Sequence, residues 1–331
     1  MAKWAHGGTD ALGIPVHDFS TNRNACGPCP AAVAALQTAH VAQYPDPHYT
    51  DLRAQLAQFH GVEADRIIVG GSSSELIHRL TQHAARSGAS AITLPQHHYG
   101  DYAQAATVWA LKQMPRGKAQ TGRVLHWACE PSSPLGQLDD IWRASSESHS
   151  GWLVLDCAYR PLWLEGVAPV RQMDAVWQLW TPNKALGMTG VRAAYAIAPL
   201  HAEPPELQAL RDLAPSWVVG AHGVAMLQAW VTAEVQQWLV DSLNILRDWK
   251  AQQLALCQRL SWQVMDGHQA NYFVARLPMS AQVMAVKLQA LRAQGIKLRD
   301  CASFGLPGAV RLGVLPPASQ LALEQTWLAI Q

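Results

Sequence analysis

RIIVGGSSSELIHRLTQHAARSGASAITL, residues 66–94, is the stretch from which the fold class of this chain can be argued. The apolar runs at 66–69 and 91–94 have the length and the β-branched content of buried strands. Between them, apolar residues recur at intervals of three and four, which indicates a helix. A strand, a helix and a second strand in succession are typical of a parallel sheet that is covered by helices.

The same alternation continues along the chain. Further strand-like runs stand at 123–128, 152–156, 175–180 and 193–198. Helical patterns separate the earlier runs, at 100–113 and 138–148. From about 204 to 260 the pattern is helical, and the end mixes strands at 271–277, 296–300 and 309–314 with helices. We therefore expect an α/β fold, with a mostly parallel sheet in a large domain and a small α+β C-terminal domain.

The composition is that of a soluble globular protein. The chain has 331 residues, of which 49% are hydrophobic and 15% charged. Its net charge of +1 gives no reason to expect nucleic acid or an acidic membrane as a partner. The N-terminal MAKWAHGGTDALGIP lacks the apolar core of a secretion signal, and no run approaches the roughly 18 apolar residues of a membrane span. We expect a cytoplasmic protein.

One short motif points elsewhere. Cys26-Gly-Pro-Cys29 has the spacing of a thiol-disulfide active site. No apolar strand precedes it, however, and the other four cysteines provide no second close pair for a zinc site, so no metal is expected. The alternative is a turn that enters a helix at 30–44, with Pro30 in its first turn. We prefer the turn, in which the sulfur atoms have no role.

Open α/β sheets bind their ligands at the carboxyl ends of the strands, so the residues that follow each strand are the candidates for chemistry. After the strand at 66–69 come Gly70 and Gly71, and then the serines at 72–74, which open a helix. Free N–H groups, hydroxyls and the positive end of a helix suit a phosphate. Serine is also a common helix cap, and an interpretation as a cap alone fits equally well.

Two further strand ends carry polar residues. Asp156 ends the strand at 152–156, with Tyr159 close behind it, and Lys184 follows the strand at 175–180. An acid that caps a turn and a solvated lysine are the ordinary interpretations. One chemistry uses both residues together with the anion site: pyridoxal phosphate needs a lysine amine, a phosphate site and an acid that keeps its pyridine nitrogen protonated.

With these residues in place, nearly the whole chain resembles the fold-type I pyridoxal phosphate enzymes of the class I and II aminotransferase family. The branch it resembles contains histidinol-phosphate aminotransferase and threonine-phosphate decarboxylase. The motifs that carry the resemblance fall in the family's order: HGG (6–8), DFSTNRNACGPCP (18–30), YPDPHYTDLRAQLA (44–57), VGGSSSELI (69–77), HYGDY (98–102), LDCAY (155–159), NKALGMTGVR (183–192) and KLRDCASFGLPGAVRLGV (297–314). The resemblance implies aminotransferase fold type I, with an N-terminal arm at 1–28, a large cofactor-binding domain at 29–220 and a small domain at 221–331.

The resemblance also implies roles for individual residues around the cofactor. Lys184 would form the Schiff base and carry protons at the substrate α-carbon. Asp156 would pair with the pyridine nitrogen, Tyr159 would hydrogen-bond the ring hydroxyl, and Tyr99 would stack on the ring. The residues implied for the cofactor phosphate are Ser72, Ser73, Ser74, Thr181 and Arg192.

Other implied roles concern the substrate and the assembly. Arg311 would hold the substrate carboxylate with its two-pronged guanidinium. Arg299 and His6 would bind a phosphate on the substrate, although a surface salt bridge is the alternative for Arg299. Tyr44 would reach the cofactor phosphate of a neighbouring subunit, which implies a homodimer with shared active sites. The alternative for Tyr44 is simple packing beside a proline turn.

The chain departs from the family's pattern at three positions. Ser133 stands where an asparagine usually contacts the ring hydroxyl. The serine side chain is shorter than that of asparagine and supplies one O–H where the amide has two N–H donors. Cys157 replaces an acid after Asp156, and Asn183 replaces a hydroxyl residue before the lysine. We expect these changes to alter the electronic tuning of the cofactor more than its binding.

The motifs HGG, DFSTNRN and RDCASFGLPG resemble threonine-phosphate decarboxylase of cobalamin biosynthesis more than they resemble histidinol-phosphate aminotransferase. We therefore favour decarboxylation of L-threonine O-3-phosphate, with transamination as the alternative. Both substrates are small amines that carry a phosphate, so an arginine-rich pocket does not separate them. A cofactor-binding protein without turnover is a hypothesis from another class. No helix-turn-helix segment accompanies the domain, so we do not expect a regulator of that fused type.

Overall fold

The computed structural model describes residues 6–117, 122–143 and 151–330. Its strands are β1 (His17–Asp18), β2 (Ile67–Gly70), β3 (Ala91–Leu94), β4 (Lys112–Pro115), β5 (Val124–Cys129), β6 (Gly151–Asp156), β7 (Trp177–Trp180), β8 (Ala194–Ile197), β9 (Gln263–Val264), β10 (Tyr272–Arg276), β11 (Ile296–Lys297), β12 (Arg299–Asp300) and β13 (Ala309–Gly313). Its helices are α1 (Pro30–Gln37), α2 (Thr50–His60), α3 (Ser73–Arg86), α4 (Gly100–Val108), α5 (Pro204–Asp212), α6 (Ala221–Trp230), α7 (Ala233–Arg259), α8 (Ala281–Ala293) and α9 (Pro317–Ala329).

A seven-stranded sheet with the order β2-β8-β7-β6-β5-β3-β4 forms the centre of the fold. Strand β8 runs antiparallel to both of its neighbours, and the pairs from β7 to β4 are all parallel. The prediction of an α/β fold with a mostly parallel sheet is therefore confirmed. In a parallel sheet the strands all deliver their carboxyl ends to one edge, and this arrangement positions the site described below.

Helices cover both faces of this sheet because successive side chains on each strand point to opposite sides. Ile67 and Val69 of β2 pack in a core with Leu52 of α2. Ile68, between them, packs instead in a second core with Leu76 of α3. All of these side chains are almost completely buried, which is why the strands of the sheet read as continuous apolar runs.

Some of the predicted helix bounds are wrong. The helix predicted at 100–113 ends at Val108, where Ala110 adopts a left-handed conformation, and Lys112–Pro115 forms the edge strand β4. The helix predicted at 30–44 ends at Gln37, where the Thr38 hydroxyl donates to the carbonyl of Ala35 (3.1 Å). The spacing of apolar residues does not reveal where these helices end, because their ends depend on the local backbone conformation. The helix predicted at 138–148 begins as a single 3-10 turn, Asp140–Arg143, and its remainder lies outside the described residues.

The C-terminal part contains a four-stranded antiparallel sheet with the order β12-β13-β10-β9, against which α7, α8 and α9 pack. Strand β1 pairs in parallel with β11, so the N-terminal residues lie beside this part of the chain. Helix α6 packs against α1 and α2. Within the described ranges, no helix is both long enough and apolar enough to cross a membrane.

Candidate active site

A cavity of about 880 Å³ opens at the carboxyl ends of the large sheet. One wall comes from the segments that follow β2, β3, β5, β6 and β7, and the other from the N-terminal residues and the segment around β12 and β13. Most of the predicted site residues line it: His6, Ser73, Ser74, Tyr99, Ser133, Tyr159, Lys184, Arg192, Arg299 and Arg311. The chain thus brings together residues from positions 6 to 311.

Lys184 lies in the loop after β7, with its amine 5.1 Å from the centre of the Tyr159 ring. The loop is held by the segment that contains the two close cysteines. The main-chain N–H of Cys29 donates to the carbonyl of Leu186 (2.9 Å). A Cβ atom added to Gly187 would lie 2.2 Å from the carbonyl oxygen of Gly27, so the two loops touch through their backbones. In this contact the cysteine segment supports the lysine loop with main-chain atoms.

The two sulfur atoms have ordinary surroundings. Cys29 is buried and precedes α1, and the Cys26 thiol lies 3.7 Å from the carbonyl oxygen of Ser242. Burial raises the pKa of the Cys26 thiol to about 11, which disfavours the reactive thiolate. The environment therefore favours the turn over the redox interpretation.

Asp156 lies at the end of β6, just behind the cavity wall, and is 4% exposed. Its Oδ2 accepts a 2.6 Å hydrogen bond from the Tyr102 hydroxyl, and its Oδ1 accepts one of 2.9 Å from the N–H of Ala158. Burial raises the pKa of the carboxyl group, and the Tyr102 hydroxyl and the nearby Lys184 amine act in the opposite direction. The carboxylate is thus fixed by two donors in an apolar setting.

Tyr102 is a residue that the sequence analysis missed. Its side chain is fully buried and stacks on Trp127, with ring centres 4.6 Å apart. It comes three residues after Tyr99, in the first turn of α4. Residues three apart lie on the same side of a helix, so this spacing from a predicted site residue could have indicated that Tyr102 lies near the site.

The serines after β2 divide into two roles. The Ser72 hydroxyl caps α3 by accepting the N–H of Glu75 (3.0 Å), as in the alternative interpretation. Ser73 and Ser74 occupy the first helical turn and line the cavity, and the Ser74 hydroxyl is 3.4 Å from that of Tyr99. N–H groups in a first turn have no acceptor within the helix, so this edge suits an anion. Arg192 lines the same cavity with an exposed side chain.

Thr181 and Asn183 brace the lysine loop from behind. The buried Thr181 hydroxyl donates to the Asn183 side-chain oxygen (2.9 Å), and the Asn183 nitrogen donates to the carbonyl of Val191 (3.2 Å). Asn183 also lines the cavity. The departure at position 183 therefore supplies a loop contact that a hydroxyl, with a single O–H, would make differently.

Two arginines stand directly opposite each other on the facing wall. Arg299 of β12 and Arg311 of β13 are register partners in the antiparallel pair, and each is 7% exposed. Arg311 donates to the carbonyl of Ser20 (3.0 Å), and its Nη1 lies 3.4 Å from the Ser133 hydroxyl oxygen. Across the described ranges neither guanidinium forms a salt bridge with a carboxylate. Burial and the neighbouring charge of Arg311 lower the pKa of Arg299. Two adjacent buried cations favour an anionic ligand.

Asn22 also lines the cavity and was not predicted. It is 4% exposed, and in the described part of the chain neither its nitrogen nor its oxygen has a hydrogen-bond partner. A buried amide without partners costs free energy unless a ligand satisfies it. Asn22 belongs to DFSTNRN (18–24), one of the motifs that carry the family resemblance, and this membership could have identified it as a site residue.

These observations fit pyridoxal phosphate and a polar substrate. The cavity presents an amine at Lys184, a fixed carboxylate behind it at Asp156, and the first turn of α3 with Arg192 at one side. At the other end, the Asn22 amide has no hydrogen-bond partner and the two arginines have no carboxylate partner among the described residues, so both can bind polar groups of a ligand. The donor set therefore matches the group that the sequence predicts.

Tyr44 lies away from this cavity. Its ring stacks on that of Trp217, with centres 4.4 Å apart, and its side chain is 77% exposed. The Trp217 indole N–H donates to the carbonyl of Pro45 (3.1 Å), so Tyr44 does pack beside the proline turn. Its assignment to a neighbouring subunit's site stays a prediction.

Comparison with known proteins agrees with this geometry. The family model "Aminotransferase class I and II" matches residues 14–323. A histidinol-phosphate aminotransferase from Jannaschia sp. (strain CCS1) is 30% identical over 323 residues, which cover 90% of this chain and 87% of the relative.

Two solved structures share the fold. L-threonine-O-3-phosphate decarboxylase from Porphyromonas gingivalis superposes with a TM-score of 0.78 at 19% identity, covering 94% of this chain and 98% of the other. Histidinol-phosphate aminotransferase from Sinorhizobium meliloti, in complex with pyridoxal-5'-phosphate, gives 0.77 at 18% identity and covers 94% and 90%. The chain is therefore a fold-type I member of the class I and II aminotransferase family, with pyridoxal phosphate as its cofactor.

Proposed function

We propose that this protein decarboxylates L-threonine O-3-phosphate to 1-aminopropan-2-ol phosphate, a step of cobalamin side-chain synthesis. The observation that carries the proposal is the pair of buried guanidiniums of Arg299 and Arg311 on the wall facing Lys184, which form no salt bridge with a carboxylate of the described residues. Threonine phosphate bears a carboxylate and a phosphate on a short carbon chain, and two adjacent cationic groups suit two such anions. The motif resemblance described above supports the same choice.

The proposed roles of the residues follow from their positions. Pyridoxal phosphate, when bound, accepts into its ring the electrons of a bond that breaks at the substrate α-carbon. Lys184 would hold the cofactor and carry protons at the α-carbon. Asp156, fixed by Tyr102 and Ala158, would hold a proton on the pyridine nitrogen.

The remaining cofactor residues would position the ring. Tyr159 and Ser133 would contact the ring hydroxyl, and Tyr99 would cover one face. The phosphate would be held by residues that share the edge after β2 and the lysine loop: Ser72, Ser73, Ser74, Thr181 and Arg192. Ser72 and Thr181 would act there mainly through the backbone they fix, because their hydroxyls are already engaged with Glu75 and Asn183.

Arg311 would hold the substrate carboxylate, and Arg299 with His6 would hold the phosphate. Arg311 would thereby fix the orientation of the bonds at the substrate α-carbon. The direction in which Arg311 holds the carboxylate therefore decides between loss of carbon dioxide and loss of the α-hydrogen. The contacts of Arg311 with Ser20 and Ser133 set that direction.

The alternative is an aminotransferase of the histidinol-phosphate type, which the names of the relatives favour. Histidinol phosphate bears a phosphate but no carboxylate, so it would engage one of the two arginines. 2-Oxoglutarate bears two carboxylates and would engage both. The two functions therefore use the same wall and differ in which bond at the α-carbon breaks.

The assembly is also part of the proposal. We infer a homodimer in which Tyr44 reaches the cofactor phosphate of the partner subunit, because Tyr44 is exposed and lies outside its own cavity. We further propose the division into an arm at 1–28, a large domain at 29–220 and a small domain at 221–331. The pairing of β1 with β11 supports an N-terminal arm that lies beside the small domain. Helix α6 begins at the proposed boundary between the large and small domains and packs against α1 and α2 of the large domain. A cytoplasmic location is part of the same proposal.

Product analysis tests the proposed reaction. The cofactor-loaded protein is incubated with L-threonine O-3-phosphate and no keto acid, and carbon dioxide and 1-aminopropan-2-ol phosphate are measured. Lys184→Ala is the inactive control, and Lys112→Ala, on the exposed edge strand β4, is its matched control.

No release of carbon dioxide would contradict the decarboxylase. Turnover of histidinol phosphate with 2-oxoglutarate would then establish the aminotransferase. A cofactor absorption band that shifts with amino acids and yields no product from either pair would indicate a binding protein without turnover.

A further inference from the structure

The imidazole of His97 bridges the two walls of the cavity. His97 lies in the loop between β3 and α4, on the wall of the large sheet. Its Nδ1 is 2.7 Å from the carbonyl oxygen of Phe304, which belongs to the opposite wall. A carbonyl can only accept, so Nδ1 carries the proton in this contact. Neutral and protonated imidazole can both donate in this way.

The segment that His97 holds is a short turn beneath the two arginines. Ala302–Phe304 forms one 3-10 turn, which ends at Gly305 in a left-handed conformation (φ 78°). The side chain of Ser303 accepts a 2.7 Å hydrogen bond from Arg299. The ring of Phe304 lies under both guanidiniums, at 4.8 Å from Arg299 and 5.7 Å from Arg311.

Backbone hydrogen bonds and an apolar cluster that includes Leu306 and Leu135 also shape the turn. The N–H groups of Phe304 and Leu306 donate to the carbonyl of Cys301, that of Gly305 donates to the carbonyl of Ala302, and that of Ala302 donates to the Asp300 carboxylate. A Cβ atom added to Gly305 would lie 3.7 Å from Nδ1 of His97, so the imidazole rests against the turn at this glycine. Phe304 and Ser303 both line the cavity, while His97 stands behind it.

We propose that His97 is a positioning residue for the anion-binding arginines, because it fixes the Ala302–Phe304 turn on which Arg299 and Arg311 rest. The inference deepens the proposed function and depends on the arginine pair as the anion site. Its consequence is selective: loss of the His97 contact weakens the binding of a phosphate at this wall. The binding of pyridoxal phosphate should stay unchanged, because the residues proposed for its own phosphate are at α3.

The neighbouring His98 provides a matched control. Its Nδ1 is 2.9 Å from the carbonyl oxygen of Pro95, which lies within its own loop. Asparagine is the conservative replacement for His97, because its side-chain nitrogen occupies the place of Nδ1 and donates in the same direction. The test set is therefore His97→Ala, His97→Asn and His98→Ala.

The experiment uses cofactor-loaded protein and two measurements that do not depend on turnover. Hydrogen–deuterium exchange is followed at the amides of residues 304–306, and the binding of inorganic phosphate is measured by titration calorimetry. With the cofactor in place, the α3 site is filled, so the added phosphate reports on the arginine wall. His97→Ala should speed exchange and weaken phosphate binding about three- to tenfold, the effect of one lost hydrogen bond.

His97→Asn should restore both measurements to within about threefold of the wild type, and His98→Ala should change neither. Unchanged exchange and phosphate affinity in His97→Ala would overturn the proposal, and so would the absence of phosphate binding by the wild-type protein. Failure of the proposed function is separate: it would appear as wild-type protein that binds phosphate normally and releases no carbon dioxide from L-threonine O-3-phosphate.

Discussion

The main-chain N–H of Asn24 donates a 2.8 Å hydrogen bond to the carbonyl oxygen of Lys184. The Asn24 side chain is in turn held by a 2.7 Å hydrogen bond from its nitrogen to the hydroxyl of Ser242 in α7. All of Asn24 and nearly all of Ser242 is buried. A residue of the long C-terminal helix therefore supports the loop that carries the proposed catalytic amine.

Ser242→Ala tests this support. The substitution leaves the buried Asn24 amide without its acceptor, so we expect the free energy of unfolding to fall by about 1–3 kcal/mol. Urea denaturation of the cofactor-loaded protein measures it. Ser242→Cys, which keeps a weak acceptor of similar size, should lose less. Equal stability of the wild type and Ser242→Ala would show that this hydrogen bond contributes nothing.

Tyr102→Phe should change how Asp156 titrates. Burial raises the pKa of Asp156 above its ordinary value of 3.8, so the folded state binds this proton more tightly than the unfolded state. The free energy of unfolding of the cofactor-free protein therefore falls as the pH rises from about 4 toward the raised pKa. The Tyr102 hydroxyl favours the ionised form and limits the fall. Without it, the pKa rises further and the fall extends to higher pH.

The same substitution should weaken the binding of the cofactor, because an acid that is more often protonated is a poorer partner for the pyridine nitrogen. A lost hydrogen bond to a charged group corresponds to roughly tenfold to a hundredfold in the dissociation constant. Tyr195→Phe is the control, since Tyr195 is another buried tyrosine whose hydroxyl bonds His60 and Trp230. An identical pH profile for Tyr102→Phe and the wild type would contradict the assigned contact.

Lysine substitutions should separate the two arginines. Lysine keeps the charge but loses the two-pronged geometry. Arg299→Lys should raise KM for L-threonine O-3-phosphate with a small change in kcat. Arg311→Lys should also lower kcat, because it sets the direction of the carboxylate, and should increase transamination as a side reaction. Steady-state kinetics with product analysis measures both. Equal effects of the two substitutions on KM and kcat would refute the division of roles.

The sequence predicted the fold better than it predicted the details of the site. Apolar runs such as 67–70 and 151–156 indicate buried strands, because helices cover both faces of the sheet. The edge strand β4 has mostly exposed residues and no such run, so it was not predicted, and its first two residues fell within the predicted helix at 100–113. The periodicity of apolar residues reflects burial, so it gives little indication of an exposed edge strand.

The site residues that were missed act through contacts between distant segments. Tyr102 is identified by its bond to Asp156, and Asn22 by the absence of a hydrogen-bond partner for its buried side chain among the described residues. His97 is identified by its contact with Phe304. Spacing along the chain can suggest such a residue, as the interval from Tyr99 does for Tyr102, but it does not identify the partner. The partner depends on which loops the sheet brings to the same edge. The cysteine pair shows that a known motif spacing can be misleading. It has the spacing of a thiol-disulfide active site, but its segment contacts the lysine loop through main-chain hydrogen bonds.

Mixed dimers test the proposal that Tyr44 completes the partner's site. Tyr44→Phe removes the hydroxyl that would reach the cofactor phosphate and keeps the stacking with Trp217. If both this variant and Lys184→Ala are nearly inactive alone, a dimer of one with the other contains one doubly altered site and one intact site. Refolding the two together in equal amounts should therefore recover roughly a quarter of the wild-type activity. If each subunit used its own Tyr44, no mixture would recover activity, because every site would retain one of the two changes.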